Sequence, residues 1–435
     1  MEEIYEKVLL VGADCGTDRE GFERSMEEME SLAKACLMEP VGVITQKMES
    51  INKTFYIGPG KVEEVKEAAE LLEAELVIFD DSLTPSQLRN LQKELGKPVM
   101  DRTALILDIF ETRARTREAR LQVESAKLKY LLPRLVGMHG AMTRQGGTSG
   151  SMSSRGAGEK KLELDRRRIE HRIAELSREL KEVSRERKVQ RQKRKDGRIP
   201  LVALVGYTNA GKSTIMNALL DSYVKREEKK VLEKDMLFAT LDTTVRRIST
   251  GNNRDFLLSD TVGFIHKLPH DLVEAFHSTL EEVENADLLL QVVDYSDSHY
   301  REQAQVTRET LQKLNAGDIP MITVYNKADK SKEPICYPKR IGSDKIYISA
   351  KDEACLKVLV NMILEHVYED YLPAEFLFPY DRGNLISYFS ENTSVLEREY
   401  EENGIRLKVQ CHLADRDKYR EYLLSDNIGQ KESSR

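Results

Sequence analysis

The sequence lacks long apolar runs and paired cysteines. No apolar stretch of the 435-residue chain approaches the roughly 18 residues that a membrane-spanning helix needs. The N-terminal residues MEEIYEK are acidic, where a secretory signal peptide would be basic and then apolar. The five cysteines form no C-x-x-C pair and lie at Cys15, Cys36, Cys336, Cys355 and Cys411. We therefore expect no stable membrane insertion, no disulfide framework, no zinc site and a cytoplasmic location.

The charge of the chain is unevenly distributed. Residues 111–198 contain 25 Lys and Arg against 12 Asp and Glu, a net charge of +13. Because the whole chain has a net charge of −7, the remainder carries −20. This asymmetry indicates one polyanion-binding segment in an otherwise acidic protein.

Residues 1–110 predict a small parallel α/β domain. Apolar stretches typical of buried strands lie at 7–13, 41–45 and 75–81. Apolar residues recur at helical spacing over 61–74 and 82–96, and Gly96 would end the second helix. Alternating strands and helices favour a parallel sheet.

The GPGK sequence at 58–61 is a weak candidate for a phosphate loop. A glycine turn before a helix is common, and the rest of a dinucleotide fingerprint is missing, so a plain turn is the preferred interpretation. An ATP-driven remodeller using this domain would need such a second loop.

Residues 111–198 predict two basic helices around a glycine-rich loop. Leucines of 116–135 lie near one helical stripe, and 162–195 carry a heptad-like apolar seam. Between them, 144–161 is rich in Gly and Ser and too polar to pack. We expect an antiparallel helical hairpin or short coiled coil with the glycine loop at its tip.

Arg166, Arg167 and Arg168 are the candidate RNA-binding residues of this segment. The alternative is an ordinary solvated helix surface. A basic run that acidic residues do not balance repels itself and suits a phosphate backbone, which favours RNA.

The sequence IPLVALVGYTNAGKST (199–214) predicts a phosphate-binding loop between a buried strand and a helix. Gly206 and Gly211 permit a tight turn whose N–H groups point at phosphate oxygens, beside the positive end of the helix. Lys212, a candidate catalytic residue, would reach the β- and γ-phosphates, and the Ser213 hydroxyl would bind Mg²⁺.

Three further motifs follow in the order that a GTPase domain over 199–370 requires. Asp260 ends a strand and would hold Mg²⁺ through water, and Gly263 would donate its N–H to the γ-phosphate. In NKAD (326–329), the Asp329 carboxylate can accept hydrogen bonds from guanine N1–H and the exocyclic amine, which selects GTP over ATP. Ser349 and Ala350 end another strand, where the backbone can approach the guanine O6.

The chain as a whole resembles the HflX family of translational GTPases. The resemblance runs nearly end to end and rests on residues 79–93, 101–135, 164–173, GYTNAGKST (206–214), FATLD (238–242) and DTVGFI (260–265). It implies an N-terminal α/β domain, a helical linker, a G domain and a small C-terminal domain. It also implies binding to the large ribosomal subunit and its RNA and, in some members, splitting of ribosomes under stress.

Within FATLD, Thr240 matches the switch-I threonine that would close on Mg²⁺ when the γ-phosphate is present. The expected metal ligands are therefore Ser213, Thr240 and, through water, Asp260. The candidate residues for GTP and GDP are Gly206, Tyr207, Thr208, Asn209, Ala210, Gly211, Lys212, Ser213, Phe238, Ala239, Thr240, Leu241, Asp242, Asp260, Thr261, Val262, Gly263, Asn326, Lys327, Ala328, Asp329, Ser349, Ala350 and Lys351.

The sequence departs from the family pattern in three places. The glycine loop, GGTSGSMSSRGAGE, is longer than usual and lacks a proline; LDTT (241–244) also lacks one; and His139 stands where Trp is typical. The longer loop lies in the segment that we assign to ribosomal RNA.

Phe264 occupies the position after D-x-x-G where many GTPases orient the attacking water with a polar side chain. Another group must then position that water. Asn209, the second candidate catalytic residue, could help to bind K⁺ between the phosphates, where an arginine finger would otherwise place its charge. A loop-stabilising role for Asn209, or activation by the ribosome, is the alternative.

Residues 371–435 pair helical with alternating patterns and predict a small C-terminal α/β domain. The interpretation is a monomeric, GTP-gated factor of the large ribosomal subunit, with Mg²⁺ and, as an open alternative, K⁺ as cofactors. The competing hypothesis is an RNA-binding or RNA-remodelling protein that uses nucleotide as a structural or ATP-linked ligand.

Overall fold

The computed structural model describes residues 6–16, 19–135, 152–196, 199–223, 237–238, 244–251, 253–267, 269, 272, 277–331 and 335–425. The chain divides into two compact units. The first contains 1–192, 234–242 and 262–280, and the second contains 193–233, 243–261 and 281–435. The chain therefore leaves the second unit and returns to it twice, at the short segments 234–242 and 262–280.

The first unit contains the predicted parallel sheet, in the order β2-β1-β3-β4. Its strands are β1 (Glu6–Asp14), β2 (Met38–Lys47), β3 (Leu76–Phe79) and β4 (Val99–Asp101). Its first four helices are α1 (Arg19–Ala35), α2 (Pro59–Leu71), α3 (Pro85–Leu95) and α4 (Arg102–Arg113). The predicted strands and the helices α2 and α3 are confirmed. The expected burial of 41–45 is wrong, because β2 is an edge strand with half-exposed and exposed residues.

The sequence of helix α3 explains where the helix begins and ends. The Thr84 hydroxyl accepts a hydrogen bond from the Gln87 N–H, and the Gln87 side chain accepts one from the Thr84 N–H, which forms a capping box. Gly96 ends the helix in the left-handed region, with φ of 66°. At α2, Gly58 is the residue before the helix, and the Lys61 ammonium lies 2.8 Å from Glu64. These contacts fit the plain-turn interpretation of GPGK.

Two long helices, α5 (Arg117–Leu131) and α6 (Met152–Asp196), run antiparallel as predicted. Three ion pairs join them: Arg172 to Glu124, Arg117 to Glu179 and Arg187 to Glu118. The prediction of a loop over 144–161 is wrong from Met152 onward, because α6 already begins there. Glycine inside a helix costs only about 1 kcal/mol, and a helix of 45 residues tolerates that cost. Residues 136–151 and His139 lie outside the described residues.

A buried cluster of charges lies at the carboxyl end of β3. The Asp80 carboxylate is fully buried and accepts hydrogen bonds from Arg102 at 2.8 Å and from the Ser25 hydroxyl at 2.6 Å. Arg102 is 1% exposed and also pairs with Glu28. These contacts join α1, β3 and α4, three elements that are far apart in the sequence.

The segment 262–280 belongs to the same unit through this cluster. The Lys267 ammonium lies 2.7 Å from Asp80 and 2.8 Å from Asp81, and Arg102 donates to the His266 carbonyl at 3.1 Å. Burial lowers the pKa of Lys267, but the two carboxylates outweigh that effect and raise it overall. The chain just after DTVGFI is thus held by the N-terminal sheet.

The second unit contains a seven-stranded sheet in the order β10-β11-β9-β8-β5-β7-β6, in which the β10-β11 and β6-β7 pairs are antiparallel. Its strands are β5 (Leu201–Gly206), β6 (Thr244–Ile248), β7 (Phe256–Asp260), β8 (Leu288–Asp294), β9 (Met321–Asn326), β10 (Lys339–Ile341) and β11 (Lys345–Tyr347). The helices are α7 (Lys212–Tyr223), α8 (His277–Glu284), α9 (Tyr300–Lys313) and α10 (Glu353–Val367). Apolar residues of α7 and α10 pack on one face of this sheet.

The second unit also contains an antiparallel sheet with the order β13-β14-β12-β15. It comprises β12 (Tyr371–Phe378), α11 (Gly383–Asn392), β13 (Ser394–Glu401), β14 (Gly404–His412), α12 (Leu413–Lys418) and β15 (Leu423–Ser425). Phe376, Phe378 and Phe389 form its core. The predicted mixture of strands and helices is confirmed. Among the helices in the described ranges, none is both long and apolar enough to cross a membrane.

We predict that Arg102→Met destabilises the first unit by about 3–5 kcal/mol, because Asp80 and Glu28 would lose their shared buried partner. Hydrogen exchange of peptides covering Leu76–Phe79 should accelerate accordingly. The matched control is Arg89→Met on the exposed surface of α3, for which we expect a change within about 0.5 kcal/mol. Equal exchange in the Arg102 variant and the parent would show that the cluster does not stabilise this sheet.

Candidate nucleotide-binding site

The loop between β5 and α7 requires glycine at two positions. Gly206 has a φ of 148°, and a Cβ there would lie 2.2 Å from the Val292 carbonyl oxygen. Gly211 has a φ of 94°, and a Cβ there would lie 2.3 Å from Nδ2 of Asn326. Neither position accepts a side chain, because both the backbone conformation and the space exclude it. Both glycines of the predicted phosphate loop are thus explained by local geometry.

Lys212 lies at the start of α7 and is almost fully buried. Its ammonium donates hydrogen bonds to the carbonyl oxygens of Gly206 at 3.0 Å and Tyr207 at 2.7 Å. Burial lowers the pKa of Lys212 to about 8, and the charge of Asp260 opposes that shift. A phosphate group in this loop would favour the charged form of the lysine, since it would add negative charge beside it.

Ser213 and Asp260 meet at the opposite side of the loop. The Ser213 hydroxyl donates a hydrogen bond of 2.7 Å to the Asp260 carboxylate, which is fully buried at the end of β7. Hydroxyl and carboxylate oxygens are the ligands that Mg²⁺ prefers, usually with several waters and phosphate oxygens. These two side chains therefore suit a magnesium ion shared with a phosphate. No group of three or more His, Cys, Asp or Glu within the described ranges is arranged to hold a metal by itself.

Asn326 braces the phosphate loop against the loop after β11. Its Nδ2 donates to the Ala210 carbonyl at 3.0 Å, and its Oδ1 accepts from the Ala350 N–H at 3.1 Å. Lys327 adds a second brace, because its ammonium lies 2.8 Å from the Asn209 carbonyl and 2.7 Å from the Asp294 carboxylate. The three sequence motifs therefore meet at one edge of the sheet.

Asp329 lies in the 3-10 turn Ala328–Lys330 and is exposed. Ser349 and Ala350 are buried, whereas Lys351 is exposed. The Asp329 carboxylate, next to the residues that contact the loop 206–211, is thus accessible to a ligand from solvent. Thr261 is buried, and its hydroxyl donates to the Leu204 carbonyl at 2.6 Å, so it fixes β7 against β5.

The remaining candidates belong to the segments of the first unit. Phe238 is buried with its ring 4.8 Å from that of Phe110, in an edge-to-face arrangement. Val262, Gly263 and Phe264 are buried as well, and Phe264 is 2% exposed. Its apolar ring has no group that could orient a water molecule. Ala239, Thr240, Leu241 and Asp242 lie outside the described residues.

The candidate RNA-binding arginines are exposed on α6. Each also has an acidic neighbour on the same helix: Arg166 pairs with Glu170, Arg167 with Glu163 and Arg168 with Asp165. The run is thus better balanced than its sequence suggests. Exposed ion pairs of this kind contribute only about 0.3–0.5 kcal/mol, so the guanidinium groups can exchange partners readily.

Two contributions to this site escaped prediction. Asp294 anchors Lys327, and the side chain of Asn326 joins two loops instead of facing a ligand alone. The sequence carries one signal for the first, since Asp294 ends a buried strand as Asp260 does. The second depends on distances across the sheet, which sequence spacing does not reveal.

Three family descriptions match consecutive parts of the chain. They are GTP-binding GTPase N-terminal at 23–111, GTP-binding GTPase Middle Region at 113–194 and 50S ribosome-binding GTPase at 201–327. Together they extend from the N-terminal sheet to the NKAD motif.

Full-length relatives agree with these matches. GTPase HflX of Caldanaerobacter subterraneus subsp. tengcongensis is 45% identical over 405 residues, which cover 93% of this chain and 91% of that protein. GTPase HflX of Escherichia coli K12 is 38% identical over 397 residues, or 90% of each chain. A solved GTP-binding protein of Sulfolobus solfataricus in complex with GDP is 25% identical, covers 83% of this chain and 99% of its own, and superposes with a TM-score of 0.43. Because the identity to the two HflX proteins extends over nine tenths of the sequence, this chain belongs to the HflX family of GTPases.

Proposed function

We propose that this GTPase is a nucleotide-gated factor that binds the large ribosomal subunit in the cytoplasm as a monomer. The observation that supports the nucleotide part is the contact of Ser213 with Asp260 beside Lys212, because a hydroxyl and a carboxylate of the kind that Mg²⁺ prefers lie next to the loop that would hold the phosphates. The ribosomal part is supported by the 50S ribosome-binding GTPase description over 201–327 and by the net positive charge of 111–198.

In this proposal, the phosphates of GTP lie in the loop 206–213, with Lys212 at the β- and γ-phosphates. Ser213, Thr240 and, through water, Asp260 would hold Mg²⁺, and the ion would neutralise charge on the phosphates when bound. Thr240 and Gly263 respond to the γ-phosphate, and hydrolysis releases them. Asp329 recognises guanine, with Ser349, Ala350 and Lys351 at its O6.

Asp329→Asn should weaken GTP binding by about 1–3 kcal/mol, because the guanine donors lose their charged acceptor. The same variant should gain affinity for xanthosine triphosphate, whose carbonyl at position 2 can accept a hydrogen bond from the Asn amide. Equilibrium binding of both nucleotides measures this exchange of preference. Asp352→Asn, a change at the first residue before α10, is the matched control. Unchanged GTP affinity in the Asp329 variant would remove this residue from the base site.

Replacing Arg166, Arg167 and Arg168 together by Ala should lower affinity for isolated large subunits and flatten its dependence on salt. Each phosphate contact contributes about 0.7–0.9 to the magnitude of the slope of log affinity against log salt for nucleic acids. Basal GTP hydrolysis should stay near the parent value, because these residues lie on α6.

The control for the arginine variant replaces their acidic neighbours, Glu163, Asp165 and Glu170, by Gln or Asn. Freed from intrahelical pairing, the arginines should then bind large subunits more tightly at low salt. Parent-like binding in both variants would make this part of α6 an ordinary solvated surface.

We propose that Asn209 helps to bind K⁺, which would supply positive charge at the phosphates. Such a charge would assist hydrolysis although Phe264 has no polar group that could orient the attacking water. It adopts a left-handed conformation with φ of 59°, and its carbonyl is fixed by Lys327. Turnover should rise when K⁺ replaces Na⁺ at constant ionic strength, and Asn209→Ala should abolish this difference while nucleotide binding persists. Phe264→Ala should change basal turnover by less than about tenfold, or roughly 1.4 kcal/mol of barrier. Equal rates in Na⁺ and K⁺, with and without ribosomes, would refute the cation role.

The second candidate function is RNA binding or remodelling with nucleotide as a structural ligand. A large increase in GTP turnover with purified large subunits favours the gated factor, whereas unchanged turnover favours this alternative. Sedimentation of intact ribosomes with the protein and a non-hydrolysable GTP analogue then distinguishes ribosome splitting from binding to free subunits.

A further inference from the structure

Among the described residues, the connection between β9 and β11 contributes no α-helix to the face of the large sheet near its outer edge. Parallel neighbours such as β9 and β11 are generally joined by a helix that packs on the sheet. Here the described part of their connection, 327–331 and 335–344, contains the 3-10 turn Ala328–Lys330 and strand β10, and no α-helix. Ile322 and Val324 of β9 face the core beneath α7 and α10, so the alternate positions of β9 face the other side.

Four tyrosines cover this other face, and we refer to them as the tyrosine platform: Tyr295, Tyr300, Tyr325 and Tyr347. The rings of Tyr325 and Tyr347 are stacked at 4.6 Å with an angle of 17° between their planes. The Tyr295 ring meets Tyr347 edge-on at 4.9 Å, and Tyr300 meets Tyr325 edge-on at 5.9 Å. All four are half-buried, so each ring retains surface that solvent can reach.

The phenol groups of the stacked pair point to solvent. Neither Tyr325 nor Tyr347 makes a side-chain hydrogen bond to another residue in the described ranges, and neither hydroxyl is buried. A tyrosine that serves only as core normally finds a partner for its hydroxyl. The pair is therefore arranged as an accessible aromatic surface with free polar tips.

Basic residues border the tyrosine platform. Burial raises the pKa of Tyr325, and the charges of Arg308 and Arg301 oppose that rise. The guanidinium of Arg301 also lies 5.6 Å from the centre of the Tyr300 ring. These two arginines project from α9 at a spacing of two helical turns, along one edge of the platform.

Strands β10 and β11 add basic residues at the opposite edge. Lys345 and Tyr347 lie on the same side of β11, because they are two residues apart. Lys339 is the direct partner of Tyr347 across the β10-β11 pair. Arg340 lies on the other side, where it pairs with Glu365 of α10. The carboxylates nearby are Asp344, which acts on Tyr325, and Glu309, which accepts a hydrogen bond from Gln305. Asp294 and Asp297 also lie close to Tyr295 in the sequence, and Asp294 pairs with Lys327.

We propose that the tyrosine platform binds unpaired bases of single-stranded RNA, with Arg301, Arg308, Lys339 and Lys345 on the backbone phosphates. Stacked rings beside basic side chains are the combination that single-stranded nucleic acids require, since every base offers a flat face and every linkage a negative charge. In the cell this RNA would be ribosomal, and in that respect the proposal rests on the proposed function.

The test measures binding of a fluorescein-labelled oligoadenylate of about 12 nucleotides by fluorescence anisotropy, within the usual site size of such surfaces. The full chain carrying Ala at Arg166, Arg167 and Arg168 serves as the parent, so that the basic helix does not mask the platform. Tyr347→Leu should weaken binding about fivefold or more, because stacking of one base is lost, whereas Tyr347→Phe should stay within about twofold. Arg308→Gln should reduce the salt slope by about 0.7.

Tyr400→Leu is the matched control, because Tyr400 is 69% exposed on β13 and lies outside the platform. GDP affinity and thermal unfolding of each variant verify that the fold is intact, and the Phe and Gln variants test the platform even if the Leu variant unfolds. Equal oligonucleotide binding in Tyr347→Leu, Arg308→Gln and the parent would overturn the proposal. When Tyr347→Leu and Arg308→Gln are made in the chain that keeps Arg166, Arg167 and Arg168, loss of large-subunit binding with oligonucleotide binding unchanged would also overturn the proposal and would indicate a protein contact. Ring-dependent oligonucleotide binding supports the platform even if the chain that keeps Arg166, Arg167 and Arg168 fails to bind large subunits, which would be a failure of the proposed function alone.

Discussion

The buried carboxylate of Asp80 is the constraint on which the first unit depends. A charge with no exposure costs several kcal/mol unless opposite charges and donors surround it. Ser25, Arg102 and Lys267 meet this need, and they come from three separate parts of the chain. The last of them lies seven residues after Asp260, so the cluster fixes the chain close to the point where it leaves strand β7. The residues that follow Asp260 are therefore tethered at Lys267 by ion pairs with Asp80 and Asp81.

The sequence predicts those parts of the fold whose reasons are local. The capped helix from Thr84 to Gly96 and the phosphate loop between Gly206 and Gly211 both depend on neighbouring residues, and both follow the prediction. The edge position of β2 and the bracing by Asn326 depend instead on strand order and on contacts across the sheet. Residue spacing carries no information on either. The early start of α6 shows a third case, in which a long helix extends through glycines that favour a loop.

Two basic regions stand out because the rest of the chain is acidic. Outside 111–198 the chain carries a net charge of −20, so most of its surface repels a polyanion. Helix α6 and the border of the tyrosine platform are exceptions of different kinds. The first presents guanidinium groups on a regular helix, which suits the regular phosphate spacing of a duplex. The second combines charge with aromatic rings, which suits unpaired bases.

The long separation between Asp80 and Lys267 also has a consequence during synthesis of the chain. These partners are 187 residues apart, and a ribosome adds about 5–20 residues per second. For about 10 to 40 seconds the nascent domain therefore holds three carboxylates, Glu28, Asp80 and Asp81, against one guanidinium. The N-terminal sheet can form early, but its second basic partner, Lys267, is added only after strands β5 to β7 have been synthesised. The contact between Asp80 and Lys267 therefore forms only once both an early and a much later part of the chain are present.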